Sequence, residues 1–232
     1  MRRRTFLRNA GVLSAGLVAG ARTAGGAQPP GPVVIQLPPR EAPGYWKAVR
    51  ALFPLAPDYA YLNTAGLGSS PSPVTDVVKH WMDREEANPA PGHSEPDFER
   101  IRAACASLLG PSCSGDEIAL VSTATEGINA ILNSMTWAAG DEVVTSTHEH
   151  AALAIPLLHK MRTHGIVIRT FEPDLERADG NVDRSEKLRT PRTRVIFVSH
   201  VTCTTGQIMP IEAIGRLAAA RKVAFALDGA QS

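Results

Sequence analysis

The stretch that decides the fold is Arg194–Gln207, which reads Arg-Val-Ile-Phe-Val-Ser-His-Val-Thr-Cys-Thr-Thr-Gly-Gln. Its first part is a short apolar run that ends at Ser199 and is typical of a buried strand. A polar loop that closes on a glycine follows, and Pro210 then favours the start of a new helix. A buried strand that leads through a polar loop into a helix is the repeating unit of a parallel α/β sheet.

The same alternation extends along most of the chain. The predicted strands are Glu117–Ser122, Glu142–Ser146, Ile166–Phe171, Arg194–Ser199 and Val223–Leu227. The predicted helices are Tyr45–Phe53, Val74–Glu86, Asp97–Leu109, Thr125–Met135, Ala152–His164, Val182–Arg189 and Ile211–Arg221. The pattern predicts an α/β fold with a mainly parallel sheet and flanking helices. Ligands of such sheets bind beyond the carboxyl ends of the strands, so the residues after each strand are the candidates for function.

The basic charge is concentrated at the start of the chain. The formal net charge is +1, but five of the 24 basic residues lie between Arg2 and Arg22. Without those five, 19 basic residues stand against 23 acidic ones, a balance of −4. No basic stripe remains in the body of the chain, so nucleic acid is not an expected partner.

Residues 1–27 have the parts of a signal peptide. Arg2–Arg8 precede an apolar run from Ala10 to Ala21, and small residues offer cleavage points after Ala21 or Ala27. The run is too short for a membrane-spanning helix, so no stable membrane anchor is expected. The paired arginines before Thr-Phe-Leu-Arg resemble the twin-arginine motif, which implies export of a folded bacterial protein to the periplasm or beyond. An ordinary secretory signal is the alternative.

The residues after the signal divide into two predicted parts. Residues 28–60 begin with a Pro-rich segment and are interpreted as a linker and N-terminal arm. Residues 61–232 are interpreted as the main domain. The three cysteines, Cys105, Cys113 and Cys203, are odd in number and irregularly spaced, so they do not indicate a disulfide framework. A bridge between Cys105 and Cys113 is left open by the short turn that separates them.

Two of the polar clusters after strands each allow two interpretations. Ser122–Asn129 gathers small and hydroxyl residues at a helix start, where free N–H groups hold a phosphate, or where Thr123 or Thr125 simply caps the helix. Thr147–Ala152 places two histidines around a glutamate. Histidines at i and i+2 do not share a helix face, so a stacking imidazole or a surface turn is favoured over a metal site.

The other two clusters follow the last two strands. Ser199–Gln207 is the polar loop quoted above, and Cys203 within it is interpreted as lining a pocket because no base stands in a recognisable relation to it. Asp228 ends the last strand and leads into Gly229-Ala230-Gln231. A carboxylate at the end of a buried strand is costly unless it is paired, so Asp228 requires a cation or a helix terminus.

Taken together and in order, these motifs resemble those of the class V aminotransferases. The resemblance begins at Tyr61-Leu62-Asn63-Thr64-Ala65-Gly66 and runs to the end of the chain through Thr-Glu-Gly-Ile-Asn, His-Glu-His-Ala-Ala, His-Val-Thr-x-x-Thr-Gly and Asp-Gly-Ala-Gln. It implies pyridoxal 5'-phosphate (PLP) as cofactor and a fold type I, aspartate aminotransferase-like large domain. Cysteine desulfurases and isopenicillin-N-epimerase-like proteins belong to the same family.

The resemblance also implies a role for individual residues. Asp228 would hydrogen-bond the pyridine nitrogen, Gln231 the ring hydroxyl, and His150 would stack on the ring. Thr202 and Cys203 would lie near the ring, although desulfurases often carry Asn at the position of Cys203. The remaining assignments are Ala124 and Thr125 for the phosphate, and Asn63 and Gly66 for the substrate side.

The family's Schiff-base lysine is expected roughly two dozen residues beyond Asp-Gly-Ala-Gln. The five lysines of this chain are not in such a context. The resemblance therefore predicts that the large domain is incomplete at its C-terminal end, and that these residues alone are inactive and fold poorly. The expected activity is that of an aminotransferase or epimerase acting on an amino acid, and the full-length protein is expected to be a homodimer.

Three alternatives remain open from the sequence. One is a catalytically inactive, truncated member of the family, and another is a cysteine desulfurase or C–S lyase. The third is a metal-dependent hydrolase that uses His148 and His150, which requires metal in the purified protein.

Overall fold

The computed structural model of the chain describes residues 35–87, 89 and 95–232. Residues 1–34, which include the predicted signal peptide and the start of the linker, lie outside the described residues. The chain divides into two compact units. Within the described residues, the first comprises residues 35–59, 69–87 and 89, and the second comprises residues 60–68 and 95–232.

The first unit contains two helices, α1 (Tyr45–Ala51) and α3 (Ser72–Ala87). The Arg50 guanidinium donates hydrogen bonds to carbonyl oxygens of the segment that follows α1, including that of Ala56 at 2.8 Å. The N–H of Ser72 donates to the carbonyl of Leu52 at 2.7 Å, which joins the start of α3 to the end of α1. Local hydrogen bonds therefore hold this unit together.

The second unit is an α/β sandwich around one sheet. Its helices are α2 (Thr64–Leu67), α4 (Glu95–Leu109), α5 (Ala124–Ser134), α6 (Ala151–His164), α7 (Gly180–Leu188) and α8 (Ile211–Ala220). Its strands are β1 (Glu142–Ser146), β2 (Val167–Phe171), β3 (Thr193–Ser199) and β4 (Ala224–Asp228). The strands are all parallel in the order β2-β1-β3-β4, which confirms the predicted fold class.

Both faces of the central strands are covered. Val195 and Phe197 of β3 pack in one core cluster with Leu132 and Leu153, and Ile196 and Val198 pack in a second cluster with Ile214. Side chains alternate between the two faces of a strand, so a strand covered on both faces tends to be apolar along most of its length. This tendency explains the continuous apolar run from which the fold was predicted.

One predicted strand, Glu117–Ser122, is wrong. Gly115–Glu117 forms a short 3-10 helix, and the residues after it join no strand ladder among the described residues. Leu120 and Val121 are 41% and 45% exposed. Apolar β-formers become a strand only beside a partner strand, because pairing and packing provide most of their preference. The other predicted helices and strands agree with the structure to within two residues at each end.

The cysteines carry no disulfide, and Cys105 and Cys113 are both free thiols. The bridge that the sequence left open between them is therefore absent. No helix in the described part of the chain combines the length and apolar character needed to cross a bilayer.

Candidate functional site

A cavity of about 790 Å³ opens at the carboxyl ends of β1, β3 and β4, within the second unit. The central strands β1 and β3 are neighbours, and the chain continues from β1 to β2 on one side and from β3 to β4 on the other. Such a switch point opens a crevice between the connections, and open α/β sheets bind ligands there. The cavity lining includes every residue predicted for the cofactor and substrate: Asn63, Gly66, Ala124, Thr125, His150, Thr202, Cys203, Asp228 and Gln231.

The start of α5 forms one wall of this cavity. Thr123 is the N-cap, and its hydroxyl oxygen accepts a hydrogen bond from the N–H of Glu126 at 3.1 Å. The Glu126 carboxylate accepts from the hydroxyl and N–H of Ser122, and these bonds hold the pKa of Glu126 below its usual value. No hydrogen bond within the described residues uses the N–H of Ala124 or Thr125. Capping and anion binding are therefore compatible, because the cap leaves these two donors free.

His150 is anchored at the start of α6. It is the N-cap of this helix, and its Nδ1 accepts a hydrogen bond from the N–H of Ala152 at 3.1 Å. An imidazole nitrogen that accepts carries no proton, so this bond selects the tautomer with the proton on Nε2. The rest of the ring is exposed and lines the cavity.

His148 has a different hydrogen-bond partner from His150. Its Nε2 lies 3.1 Å from one carboxylate oxygen of Glu172, and the other oxygen of Glu172 accepts from the Thr147 hydroxyl. His148 is not among the residues that line the cavity. In the part of the chain that the structure describes, no group of three or more His, Cys, Asp or Glu residues is placed to hold a metal ion. The two histidines therefore do not form a joint metal site here.

Asp228 supplies a buried negative charge to the cavity. It ends β4, is 7% exposed, and one carboxylate oxygen accepts from the N–H of Ala230 at 3.0 Å. None of the ion pairs among the described residues includes Asp228. A buried carboxylate without a cation is costly, and a cationic ligand in the cavity would remove that cost.

The loop after β3 is held by Thr202. The Thr202 hydroxyl lies 2.7 Å from that of Thr205 and accepts from the N–H of Gln207 at 3.2 Å. Gly206 allows the loop to close because its φ is 71°, a conformation that side chains disfavour. Thr202 is 1% exposed, so its hydroxyl shapes the loop, whereas Cys203 beside it is exposed to the cavity.

Sequence reasoning missed one polar residue, Glu149. Its carboxylate accepts hydrogen bonds from the hydroxyl of Ser146 at 2.5 Å, and from the hydroxyl and N–H of Ser199 at 2.6 and 3.0 Å. Burial raises the pKa of Glu149, although these hydrogen bonds oppose the rise. The only signal in the sequence was its position between two histidines after a strand.

The fold and the cavity point to one class of protein, a parallel α/β sheet with a helix start, an anchored imidazole and a buried carboxylate around a single cavity. The chain belongs to the class V aminotransferase family, whose model matches residues 60–232. The cofactor of this family is PLP.

Curated relatives carry two kinds of name. The chain is 30% identical over 195 residues to isopenicillin N epimerase of Amycolatopsis lactamdurans, covering 81% of this chain and 48% of that protein. It is 28% identical over 192 residues to a probable cysteine desulfurase of Methanothermobacter thermautotrophicus, covering 79% and 46%. The chain therefore spans about half the length of the curated relatives it matches.

Solved structures show the same fold. The cysteine desulfurase CsdA of Escherichia coli matches with a TM-score of 0.67 at 23% identity, covering 80% of this chain and 48% of that one. A mutant of C-DES with glycine covalently linked to its PLP cofactor matches with a TM-score of 0.64 at 21% identity, covering 79% and 50%. These likenesses support the parallel sheet and its flanking helices as the PLP-dependent fold.

Proposed function

We propose that this chain forms the cofactor-binding part of a PLP-dependent enzyme that acts on an amino acid, as an aminotransferase or an epimerase. The observation that carries the proposal is the composition of one cavity. Free N–H groups at the start of α5, the anchored imidazole of His150 and the Asp228 carboxylate all line it, and no ion pair among the described residues includes Asp228. These groups match a ligand with an anionic end, a flat ring and a basic ring nitrogen.

Each group has a physical task toward that ligand. The PLP ring supplies an electron sink when its nitrogen is protonated. Asp228 holds that proton at the ring nitrogen, and the resulting cation stabilises the buried carboxylate. His150 presents the face of an imidazole whose orientation the Ala152 N–H fixes. Ala124 and Thr125 bind the phosphate through their N–H groups, and Gln231 hydrogen-bonds the ring hydroxyl.

The described residues place no lysine in the cavity lining. Lys222 precedes β4, at the end of the sheet opposite the cavity. The proposal for the 232 residues alone is therefore cofactor binding without a covalent bond, and no turnover. Transamination or epimerisation is proposed for the whole protein.

Binding of PLP to the purified protein tests this proposal. Titration followed by absorbance and by circular dichroism in the cofactor band should show one saturable site. Asp228→Asn should weaken binding about tenfold or more, because it removes the charge partner of the ring nitrogen. Asp141→Asn is the matched control. Asp141 lies before β1 at the opposite end of the sheet, where its carboxylate is 4.0 Å from Nε of Arg194. The Asp141→Asn protein should bind PLP as the wild type does.

Borohydride reduction separates the two forms of binding. After reduction, peptide mass mapping of the 232-residue chain should find no single lysine that carries the cofactor. Stoichiometric labelling of one lysine would contradict the noncovalent part of the proposal. Absence of a saturable PLP site would contradict the proposal as a whole.

Cysteine desulfurase or C–S lyase activity is the second candidate. It is supported by relatives that are named probable cysteine desulfurases, such as that of Methanothermobacter thermautotrophicus. These reactions yield sulfur as a persulfide, so release of sulfide from cysteine or cystine by the whole protein with an added thiol reductant is the test. It distinguishes this activity from transamination, which consumes a keto acid, and from epimerisation, which inverts the α-carbon. Since family members are commonly dimers, a homodimer is proposed for the whole protein, and light scattering tests it.

We further propose that the protein is exported through a twin-arginine-type signal. The support is the sequence of residues 1–27, with its paired arginines, apolar run and small-residue end. Replacement of Arg3 and Arg4 by lysine, which keeps the charge, should block export of a fused folded reporter. Unchanged export would indicate an ordinary secretory signal.

A further inference from the structure

Glu149 joins the ends of the two central strands. Ser146, the last residue of β1, donates to one carboxylate oxygen, and Ser199, the last residue of β3, donates twice to the other. Both serines are buried. The carboxylate therefore bridges the switch point between β1 and β3, where the cavity opens.

The bridge connects the two groups that would hold the cofactor ring. Glu149 directly precedes His150, the N-cap of α6. On the other side, Ser199 is the register partner of Asp228 in the β3–β4 pair. A movement of Glu149 would therefore change the position of His150 relative to Asp228, and with it the width of the space between the imidazole and the carboxylate.

The donors to Glu149 are neutral. Among the described residues, no ion pair includes this carboxylate. The Ser146 hydroxyl also accepts from the N–H of His148 at 3.2 Å, so the turn that carries both histidines is tied to the same bridge. Local hydrogen bonds thus define the shape of this turn before any ligand binds.

We propose that Glu149 is a positioning residue that fixes His150 against the cofactor ring and sets its distance from Asp228. The proposal deepens the PLP-binding function proposed above and rests on it for its effect on affinity. Its geometric part concerns the cofactor-free protein, where the orientation of the His150 imidazole can be measured directly.

Two substitutions separate position from charge. Glu149→Gln keeps the length of the side chain: its oxygen accepts both Ser199 donors, and its NH2 group donates to the Ser146 hydroxyl. Glu149→Ala removes the bridge. The matched control is Glu142→Ala, because Glu142 is also hydrogen-bonded to two hydroxyls but begins β1 at the opposite end of the sheet.

The first measurement is long-range 1H–15N NMR of the histidines without cofactor. The His150 signals are identified by their loss in His150→Gln. In the wild type, Glu149→Gln and Glu142→Ala, we expect a single tautomer with the proton on Nε2. In Glu149→Ala we expect the averaged shifts of two exchanging tautomers, because the turn no longer holds Nδ1 against the N–H of Ala152.

The second measurement is the dissociation constant for PLP. Glu149→Ala should bind about tenfold more weakly, the loss typical of groups that orient a ligand-contacting residue. Glu149→Gln and Glu142→Ala should remain within about threefold of the wild type on the same grounds. Equal weakening by Gln and Ala would overturn the proposal, because charge and not position would then be the cause.

Ser146→Ala covers the case in which Glu149→Ala does not fold. Ser146 is not among the cavity-lining residues, and its hydroxyl acts on the site through Glu149 and through the N–H of His148. A partial tautomer change in Ser146→Ala supports the proposal, and an unchanged His150 signal together with unchanged affinity overturns it. If the wild type binds no PLP, the proposed function fails, and the tautomer measurement alone decides the role of Glu149.

Discussion

The carboxylates near the two ends of strand β1 have opposite surroundings. At its start, Glu142 accepts from the Arg169 guanidinium at 2.7 Å and from the Thr190 hydroxyl at 2.5 Å, and the hydrogen bond from Arg169 is the main cause of its lowered pKa. Just beyond its end, Glu149 has only serine donors, and burial raises its pKa.

The comparison shows at which end of the sheet the chain itself neutralises its acidic side chains. At the amino end, a cation of the same chain neutralises the buried charge. At the carboxyl end, neither Glu149 nor Asp228 belongs to an ion pair among the described residues. A site that binds a cationic group tolerates such a deficit, because the ligand supplies the missing charge.

The largest change in the free energy of unfolding is expected at the amino end of the sheet. Glu142→Ala should lower the free energy of unfolding by about 2 kcal/mol, because it removes the acceptor of the Arg169 guanidinium and of the Thr190 and Thr193 hydroxyls. PLP affinity should not change. Chemical denaturation of the cofactor-free protein measures the free energy of unfolding. A loss below about 1 kcal/mol would mean that the Glu142 carboxylate is no better compensated than the carboxylates at the other end of the sheet.

A smaller effect of opposite sign is expected at the cavity. Asp228→Asn should raise the free energy of unfolding of the cofactor-free protein by about 1 kcal/mol, because a neutral amide is less costly to bury there. The same denaturation experiment with Asp141→Asn should show no gain, since Asp141 lies near Arg194. A destabilised Asp228→Asn protein would show that the chain itself compensates this carboxylate.

The smallest effect is a difference in pH dependence. Glu149 has a raised folded-state pKa, so its folded form binds the extra proton, and stability falls as pH rises from the ordinary value of 4.5 through the raised value. Glu142 has a lowered pKa, so its contribution is present above 4.5 and is lost as pH falls through the lowered value. The free energy of unfolding of the wild type minus that of each variant is plotted against pH. This difference should fall with rising pH for Glu149→Gln and rise with pH for Glu142→Gln. The slopes should be roughly a few tenths of a kcal/mol per pH unit, and slopes of equal sign would refute the contrast.

The central strands could be predicted from the sequence because burial on both faces leaves a local signature. Every residue of β1 is buried, and β3 is apolar from Val195 to Val198. Residues 117–122 carry a similar apolar run but form no strand. A strand needs a partner strand beside it, and the tertiary structure decides whether one is present. Periodicity within a segment cannot report what lies beside it.

The site was predictable to the extent that its groups follow strands. His150 and Asp228 stand just after β1 and at the end of β4, where ligands of parallel sheets bind. Glu149 was not predictable as a bridge, because its partner Ser199 lies 50 residues away in sequence. The hydrogen bond between the Thr202 and Thr205 hydroxyls was likewise not predictable from the sequence, since it depends on how the loop folds back on itself.

Strand β4 is an edge strand of the sheet, which affects how the protein behaves at high concentration. Only β3 pairs with β4 among the described residues, and Ala224 and Leu227 of β4 are exposed. The unpaired N–H and C=O groups along such a strand are a template on which strands of other molecules assemble. These 232 residues prepared alone should therefore aggregate through β4 at high concentration. A low protein concentration or a covering partner would preserve the cavity at the end of the same strand.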